Sequence, residues 1–441
     1  MKKLISIFLI LTLVLSLAAC AGQAKPADPS SGTEKTEAEK SGTEKTGAES
    51  SGSEESGSEM QGKEYAAVDD FEGRLLEYVL EKGYESENCM ISALSFKAVL
   101  CLAAEGASGA TQKELLAALG FSSVEEMENW YASVNAAVKA FAEQLREEQE
   151  RYKKMNRSGE SPDRAFELVN SIWNNLDSLG VFREEYKKTV EEKYGAAAYE
   201  VSADEITDAV NKWCSDNTNG MIPKISDDLS EAASVLVNAL YVRAPWVNSF
   251  EEGLTHEDIF TDKDGKEITK EFMEQTNDSL FYEDEKTRIV VIPMEGDLQF
   301  VAVLGEKEGF EEKLRSAAYE KVHIMIPKMD FESTFDGDIM IGFLKSLGVE
   351  SAWSGETADF SAMSEEVWYI DDIIQKTKIK TDEEGLEAAA VTAVMIKAAG
   401  MPIQEEAEIK EFIADEPFSF FIYSGLGGEA GQLLFAGQYV K

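Results

Sequence analysis

Six runs in the second half of the chain constrain the fold most. SVLVNALYV (234–242), RIVVIPM (288–294), LQFVAVLG (298–305), KVHIMIPKMDF (321–331), FSFFIYS (418–424) and LLFAGQYV (433–440) are rich in β-branched and aromatic residues and are bounded by turn residues. Strands this continuously apolar need cover on both faces. The first half has a different texture. FEGRLLEYVLEKG (71–83) spaces its apolar residues as a helix does and stops at glycine. SALSFKAVLCLAAEGASG (92–109) reads as a helix buried on most sides. ATQKELLAALGF (110–121) places Glu114 three residues after Thr111, the pattern of a capping box. EQLREEQERYKKMNRSGESPDRA (143–165) is polar and reads as a helix end followed by a surface excursion. Helices first and strands later, without βαβ alternation, predict an α+β fold with large, mainly antiparallel sheets.

The N-terminal part lies outside this fold. Lys2 and Lys3 precede the apolar run LISIFLILTLVLSLAA, which stops at Cys20. A basic head, an apolar segment and small residues before a cut read as a secretory signal over residues 1–19. LAAC resembles a bacterial lipobox, whose cysteine carries the lipid of a membrane-anchored protein; Cys20 is the expected lipidation site. Residues 20–63 contain the near-repeats SGTEKTEAEK and SGTEKTGAES and no aromatic residue, and so read as a solvated tether. The folded domain is expected over 64–441, held outside the cell at a bacterial surface.

Charge and chemistry narrow the function. The whole chain carries −42, nearly all of it on the folded part, which excludes nucleic acid as a partner because the phosphates would be repelled. Cys89, Cys101 and Cys214 are three in number and lack metal-site spacing, so buried free thiols are expected. His256 and His323 are the only histidines, neither lies in an HExxH pattern, and no GxSxG is present. A zinc enzyme or a serine hydrolase is therefore disfavoured, and no cofactor or metal is implied.

One stretch stands apart. DEEGLEAAAVTAVMIKAAGMPIQEE (382–406) sets about fifteen small or apolar residues, with Lys397 the single charge, between acidic flanks. Taken as a strand starting at Leu386, it sends Leu386, Ala388, Ala390, Thr392, Val394, Ile396 and Ala398 to one face, all uncharged. Glu387 and Lys397 share the opposite face, which can stay in water. No proline lies between Gly385 and Gly400, so every amide there can join a ladder.

Seven segments in order resemble the serpins, the serine-protease-inhibitor family. ENCMISALSFKAVL carries Ser92 and Ser95 at the family's two serine positions, with Ala93 where proline is usual. GASGATQKEL follows. AVNKWCSDNTNGMI matches through Asn211, Trp213, Thr218, Gly220 and Ile222, and VNALYVRAPW through Asn238 and Trp246. IPKMDFEST, ADFSAM and ADEPFSFFI (Pro417, Phe418) complete the series. The resemblance implies the serpin fold: about nine helices around three β-sheets, with an exposed reactive-centre loop at about 383–410.

It also implies a mechanism. EEGLEAAAVT (Glu383, Glu384, Gly385, Leu386, Glu387, Ala388, Ala389, Ala390, Val391 and Thr392) resembles the family's hinge. A protease would attack the loop, form an acyl-enzyme, and be trapped when the freed loop inserts into the central sheet. Gly385 would supply the hinge's backbone freedom. Leu386 replaces the usual Thr or Ser; it is neutral and can enter, but its bulk is expected to slow insertion. Ser92, Ser95, Asn238, Trp246 and Gln375 form the implied sheet-opening region. Gln375 stands where histidine is common, so a clasp to Asn238 without a pH switch is expected.

Counting seventeen positions from Glu383 in the family's register lands on Ala399, making Ala399–Gly400 the scissile bond and elastase- or subtilisin-like enzymes the targets. A register shorter by two would put Lys397 there and imply a trypsin-like target; Met395 and Met401 are the remaining candidates. The implied partner is a serine protease in covalent complex, with cysteine proteases as the second class. The protein would be a monomer and would turn over once, so it is not an enzyme. A non-inhibitory serpin with a binding or structural role, and a solute-binding lipoprotein, are the alternatives.

Overall fold

A computed structural model describes residues 64–65, 70–155, 165–386, 408–424 and 430–441. The signal segment, Cys20 and the tether lie outside the described residues, as do Glu387 to Thr392, Lys397, Ala399 and Gly400. The described residues belong to one compact unit.

In chain order the elements are β1 (Glu64–Tyr65), α1 (Asp70–Glu81), β2 (Cys89–Ile91), α2 (Ala93–Gly106), α3 (Gly109–Ala118), α4 (Val124–Met155), β3 (Ala165–Asn175), α5 (Glu184–Tyr194), β4 (Ala197–Val201) and α6 (Ala203–Asn217). There follow β5 (Ser234–Pro245), β6 (His256–Thr261), β7 (Glu267–Glu283), β8 (Thr287–Met294), β9 (Leu298–Gly305), α7 (Phe310–Arg315), β10 (Ala318–Pro327), β11 (Asp330–Phe335) and α8 (Gly337–Ser346). The last are β12 (Asp372–Lys380), β13 (Gly385–Leu386), β14 (Lys410–Ile413), β15 (Phe418–Ser424) and β16 (Ala430–Tyr439).

The six apolar runs are all strands. They fall in two hydrogen-bonded sheets rather than three separate ones. The larger runs β1-β16-β15-β9-β8-β7-β10-β14, with β2 on β16 and β6 on β7. Strand β7 spans 17 residues and pairs β8 with its last residues and β6 with its first, so it joins what would be two sheets into one. The smaller sheet runs β11-β12-β5-β3-β4, with β13 also on β5.

Side chains alternate across the smaller sheet. One face packs on the larger sheet: Leu240, Val242 and Ile379 join Phe300, Phe420, Ile422 and Phe435 in one buried cluster. The other face carries Trp173, Val235, Val237 and Ile374, covered by Ile206, Val210 and Cys214 of α6 and by Ile222, Ile225 and Leu229 beyond it. Helix α2 is apolar all round and is buried accordingly; Ser92 caps it by accepting from Ser95 N at 3.3 Å.

Eight α-helices are seen among the described residues, close to the nine or so expected, and α4 alone accounts for 32 residues. That helix absorbs much of the polar 143–165 stretch: Val138, Phe141 and Leu145 bury one stripe, and the helix continues past them to Met155. The capping box at Thr111 does not form. Helix α3 begins earlier, at Gly109, and Glu114 Oε2 instead accepts from Glu350 N, Ser351 N and Ser351 Oγ at 2.8–2.9 Å, while Thr111 Oγ1 lies 2.9 Å from Ser351 Oγ. A tertiary contact has taken over side chains that local spacing assigned to the helix end.

Candidate functional site

Strands β5 and β12 run parallel and are joined over only Asp372–Gln375 against Val235–Asn238. Past that last rung both continue, β5 to Pro245 and β12 to Lys380, without pairing to each other. The chain then reverses and β13 begins between them, antiparallel to both. Gly385 stands opposite Pro245 and Leu386 opposite Ala244, while Leu386 also bridges Thr381. Leu386 is 4% exposed and lies in the cleft with Met90, Leu240, Val242, Ile379, Ile422 and Phe435. The bulky residue expected to slow insertion is already seated in the sheet.

The turn that delivers Leu386 is fastened at several points. Asp382 Oδ1 accepts from Glu384 N at 3.0 Å and Gly385 N at 3.2 Å, and Asp382 N donates to Gly385 O at 3.0 Å. Trp246, 2% exposed, donates from Nε1 to Asp382 O at 2.9 Å and from its backbone to Glu384 O at 2.8 Å; Phe250 N donates to Glu383 O at 2.8 Å. Glu383 Oε1 accepts from Thr255 Oγ1 at 2.6 Å and pairs with Lys328 Nζ at 2.9 Å. Burial alone would raise the Glu383 carboxyl, but the bonds from Lys328 and Thr255 outweigh it and hold the group below its ordinary range. Asp382 is raised, chiefly by burial. Gly385 is required by closeness: a Cβ there would lie 2.4 Å from Ala244 O and 2.6 Å from Pro245 Cα.

The sheet-opening residues come together, in a different arrangement from the expected clasp. Gln375 and Asn238 are strand partners, yet the Gln375 side chain grips α2. Its Oε1 accepts from Ser92 N at 3.1 Å and its Nε2 donates to Ser92 O at 2.9 Å. Asn238 turns the other way, donating from Nδ2 to Asn170 Oδ1 at 2.5 Å, and Asn170 Nδ2 donates to Tyr131 Oη of α4 at 3.0 Å. Gln375 spends both arms on Ser92 and Asn238 commits its nitrogen to Asn170, so no clasp forms between them. Just above, Thr377 Oγ1 donates to Met90 O at 2.6 Å and Met90 N donates to Ser333 Oγ at 3.0 Å.

The segment after α6 is stapled by residues of the AVNKWCSDNTNGMI stretch. Asn211 Oδ1 accepts from Ile225 N at 2.8 Å and Ser226 N at 3.2 Å, and Thr218 Oγ1 accepts from Ile222 N at 2.9 Å. Cys89, Cys101 and Cys214 are free and buried; burial pushes the Cys89 and Cys214 thiols up to about 12 and Cys101 higher. His323 Nε2 meets Glu274 Oε1 at 2.9 Å, and His256 Nδ1 lies 3.7 Å from Glu274 Oε2. The histidines thus share one carboxylate on the outer strands of the larger sheet.

A sheet parted at one end, with a glycine-led strand begun in the opening, is the feature that sets this fold apart. The family model "Serpin (serine protease inhibitor)" matches residues 66–441, and the chain belongs to the serpin family. It is 30% identical over 376 residues to an uncharacterized serpin-like protein of Thermococcus kodakarensis, covering 81% of each chain. It is 26% identical over 374 residues to a leukocyte elastase inhibitor of Sus scrofa, covering 78% of this chain and 91% of that one. Among solved structures it is similar to the thermophilic serpin tengpin in its native state, with a TM-score of 0.66, 26% identity and coverage of 86% and 96%. Serpins are in general protease inhibitors rather than enzymes.

Proposed function

We propose that this serpin is a suicide-substrate inhibitor of serine proteases, held by lipid on Cys20 outside a bacterial membrane. A protease cuts the loop that follows Leu386 and is trapped as an acyl-enzyme when the freed strand fills the cleft. The parting of β5 from β12 beyond Gln375, with Leu386 already between them, carries this reading. The uncharged row from Leu386 to Ala398 supports it, because an unpaired charge on the face turned into the sheet would oppose burial.

The reactive bond in this account is Ala399–Gly400. A small residue there suits elastase- and subtilisin-like primary pockets; attack after Lys397 instead would point to trypsin-like enzymes. One experiment separates inhibition from a binding or structural role. An inhibitor forms an SDS-stable covalent complex with its protease, whereas a non-inhibitory serpin is merely cut. Cutting without a complex, against enzymes of all three classes, contradicts the proposal.

A further inference from the structure

The chain holds two histidines, and the fold brings both to one carboxylate. Strand β7 pairs with β6 and with β10. Glu274 of β7 lies two residues on from Phe272, the partner of His256 on β6. It lies two residues back from Thr276, the partner of His323 on β10. Such diagonal neighbours are within reach of long side chains. His323 Nε2 accordingly stands 2.9 Å from Glu274 Oε1, and His256 Nδ1 stands 3.7 Å from Glu274 Oε2. Asp258 Oδ2 lies 3.9 Å from His256 Nε2.

Two imidazoles and a carboxylate are a ligand set that zinc takes, with water completing the tetrahedron. Bonds of about 2.0–2.1 Å at tetrahedral angles set neighbouring donor atoms about 3.3 Å apart. The two separations at Glu274, 2.9 and 3.7 Å, lie on either side of that value. The three side chains are 25–43% exposed, so a dissolved cation can reach them and their rotamers can adjust. Each imidazole now addresses a different carboxylate oxygen, and no three such donors are already closed around one point among the described residues. The adjustment falls on His256, whose Nδ1 also donates to Leu254 O at 2.9 Å. Turning that exposed ring exchanges one hydrogen bond for a bond to the cation. The net charge of −42 gathers cations at the surface and lowers the cost of the exchange.

We propose that His256, Glu274 and His323 bind a zinc-class divalent cation that pins β6, β7 and β10 together. Its role is structural and does not depend on the loop being cut. Thr255, beside His256, and Lys328, directly after β10, both hold the Glu383 carboxylate at the hinge. The cation would therefore cross-link the two segments that fasten that carboxylate. Magnesium, which prefers octahedral oxygen ligands and keeps its water, would not substitute.

The test titrates the full chain, stripped with EDTA and returned to metal-free buffer, with zinc chloride by calorimetry. His256→Ala, His323→Ala and Glu274→Gln are titrated beside it, all in a large excess of magnesium chloride to occupy the acidic surface. Wild type should bind a single zinc ion under these conditions, and each variant should bind it at least about 10-fold more weakly. Cobalt(II) in place of zinc should give wild type, and none of the variants, the intense visible bands of a tetrahedral site. Absence of a magnesium-resistant zinc site in wild type overturns the assignment. So does zinc affinity left unchanged by either histidine substitution. Unfolding without metal checks that each variant is folded; should one not be, the wild-type cobalt spectrum decides, and weak octahedral bands overturn the site.

Discussion

Leu386 stands opposite Ala244 at the head of the cleft, 4% exposed and packed among residues of both sheets. Hydrophobic seating makes it an anchor for the strand that follows. Leu386→Glu would put an unpaired charge into that apolar cleft, at a cost of several kcal/mol, and would expel the start of β13. The expected outcome is a loop still cut by protease but with the covalent complex lost in favour of cleaved product, read as a band ratio on denaturing gels. Complex yield equal to wild type would remove Leu386 from the account.

The carboxyl of Glu383 gives the hinge a pH dependence of defined sign. Its value is depressed in the fold, so its contribution is present above the unfolded value of about 4.3 and is lost as pH falls through the lower folded value. Asp382, raised by burial, acts in the opposite sense: its contribution is present below its unfolded value and lost as pH rises through the folded one. Glu383→Gln should therefore lower the unfolding temperature by about 2 °C above pH 5, and the difference from wild type should vanish toward pH 3. A difference that does not change with pH would assign the effect to packing.

Gln375 holds the Ser92 N–H and C=O together. Gln375→Leu would orphan the buried Ser92 N–H, at about 1–3 kcal/mol, leave the Ser92 carbonyl with only its bond from Phe96 N, and loosen β12 from α2. We expect a lower unfolding temperature and, on prolonged warming below it, faster loss of inhibitory capacity. Capacity is read by titration against a fixed amount of protease.

Much of the fold was legible because packing and pattern agreed. All six apolar runs became strands, and the three thiols are buried as their spacing suggested. Strand β3 was not legible: AFELVNSIWNN looks too polar for a central strand. Its asparagines are buried because each finds a partner, Asn170 at Tyr131 and Asn238, Asn174 at Gly180 O, and Asn175 at Ser230 O and Ala232 O. Such partners come from distant elements and leave no local trace. At the hinge, the glycine was legible but its reason was not, since the close backbone of β5 is a tertiary fact. Asp382 carried a readable signal, an aspartate three residues before glycine that binds the turn amides. Thr255 and Lys328 carried none.

Cys214 offers a reporter of insertion. It lies on α6 against the sheet with Val235 and Ile374, and burial raises its thiol to about 12. The uncut protein should leave Cys214 unlabelled by iodoacetamide at pH 8, as judged by peptide mass spectrometry. If α6 lifts while a strand inserts, labelling during protease attack should exceed that of either the uncut or the fully cut form. Steady labelling of the uncut protein would show that α6 opens without insertion.

The central claim is tested most directly by incubating the full chain with elastase-, subtilisin- and trypsin-like serine proteases, then combining denaturing gels with mass spectrometry. The account predicts an SDS-stable complex with an elastase- or subtilisin-like enzyme and release of the fragment Gly400–Lys441. Cleavage of the loop with no covalent complex against any of the three would contradict it.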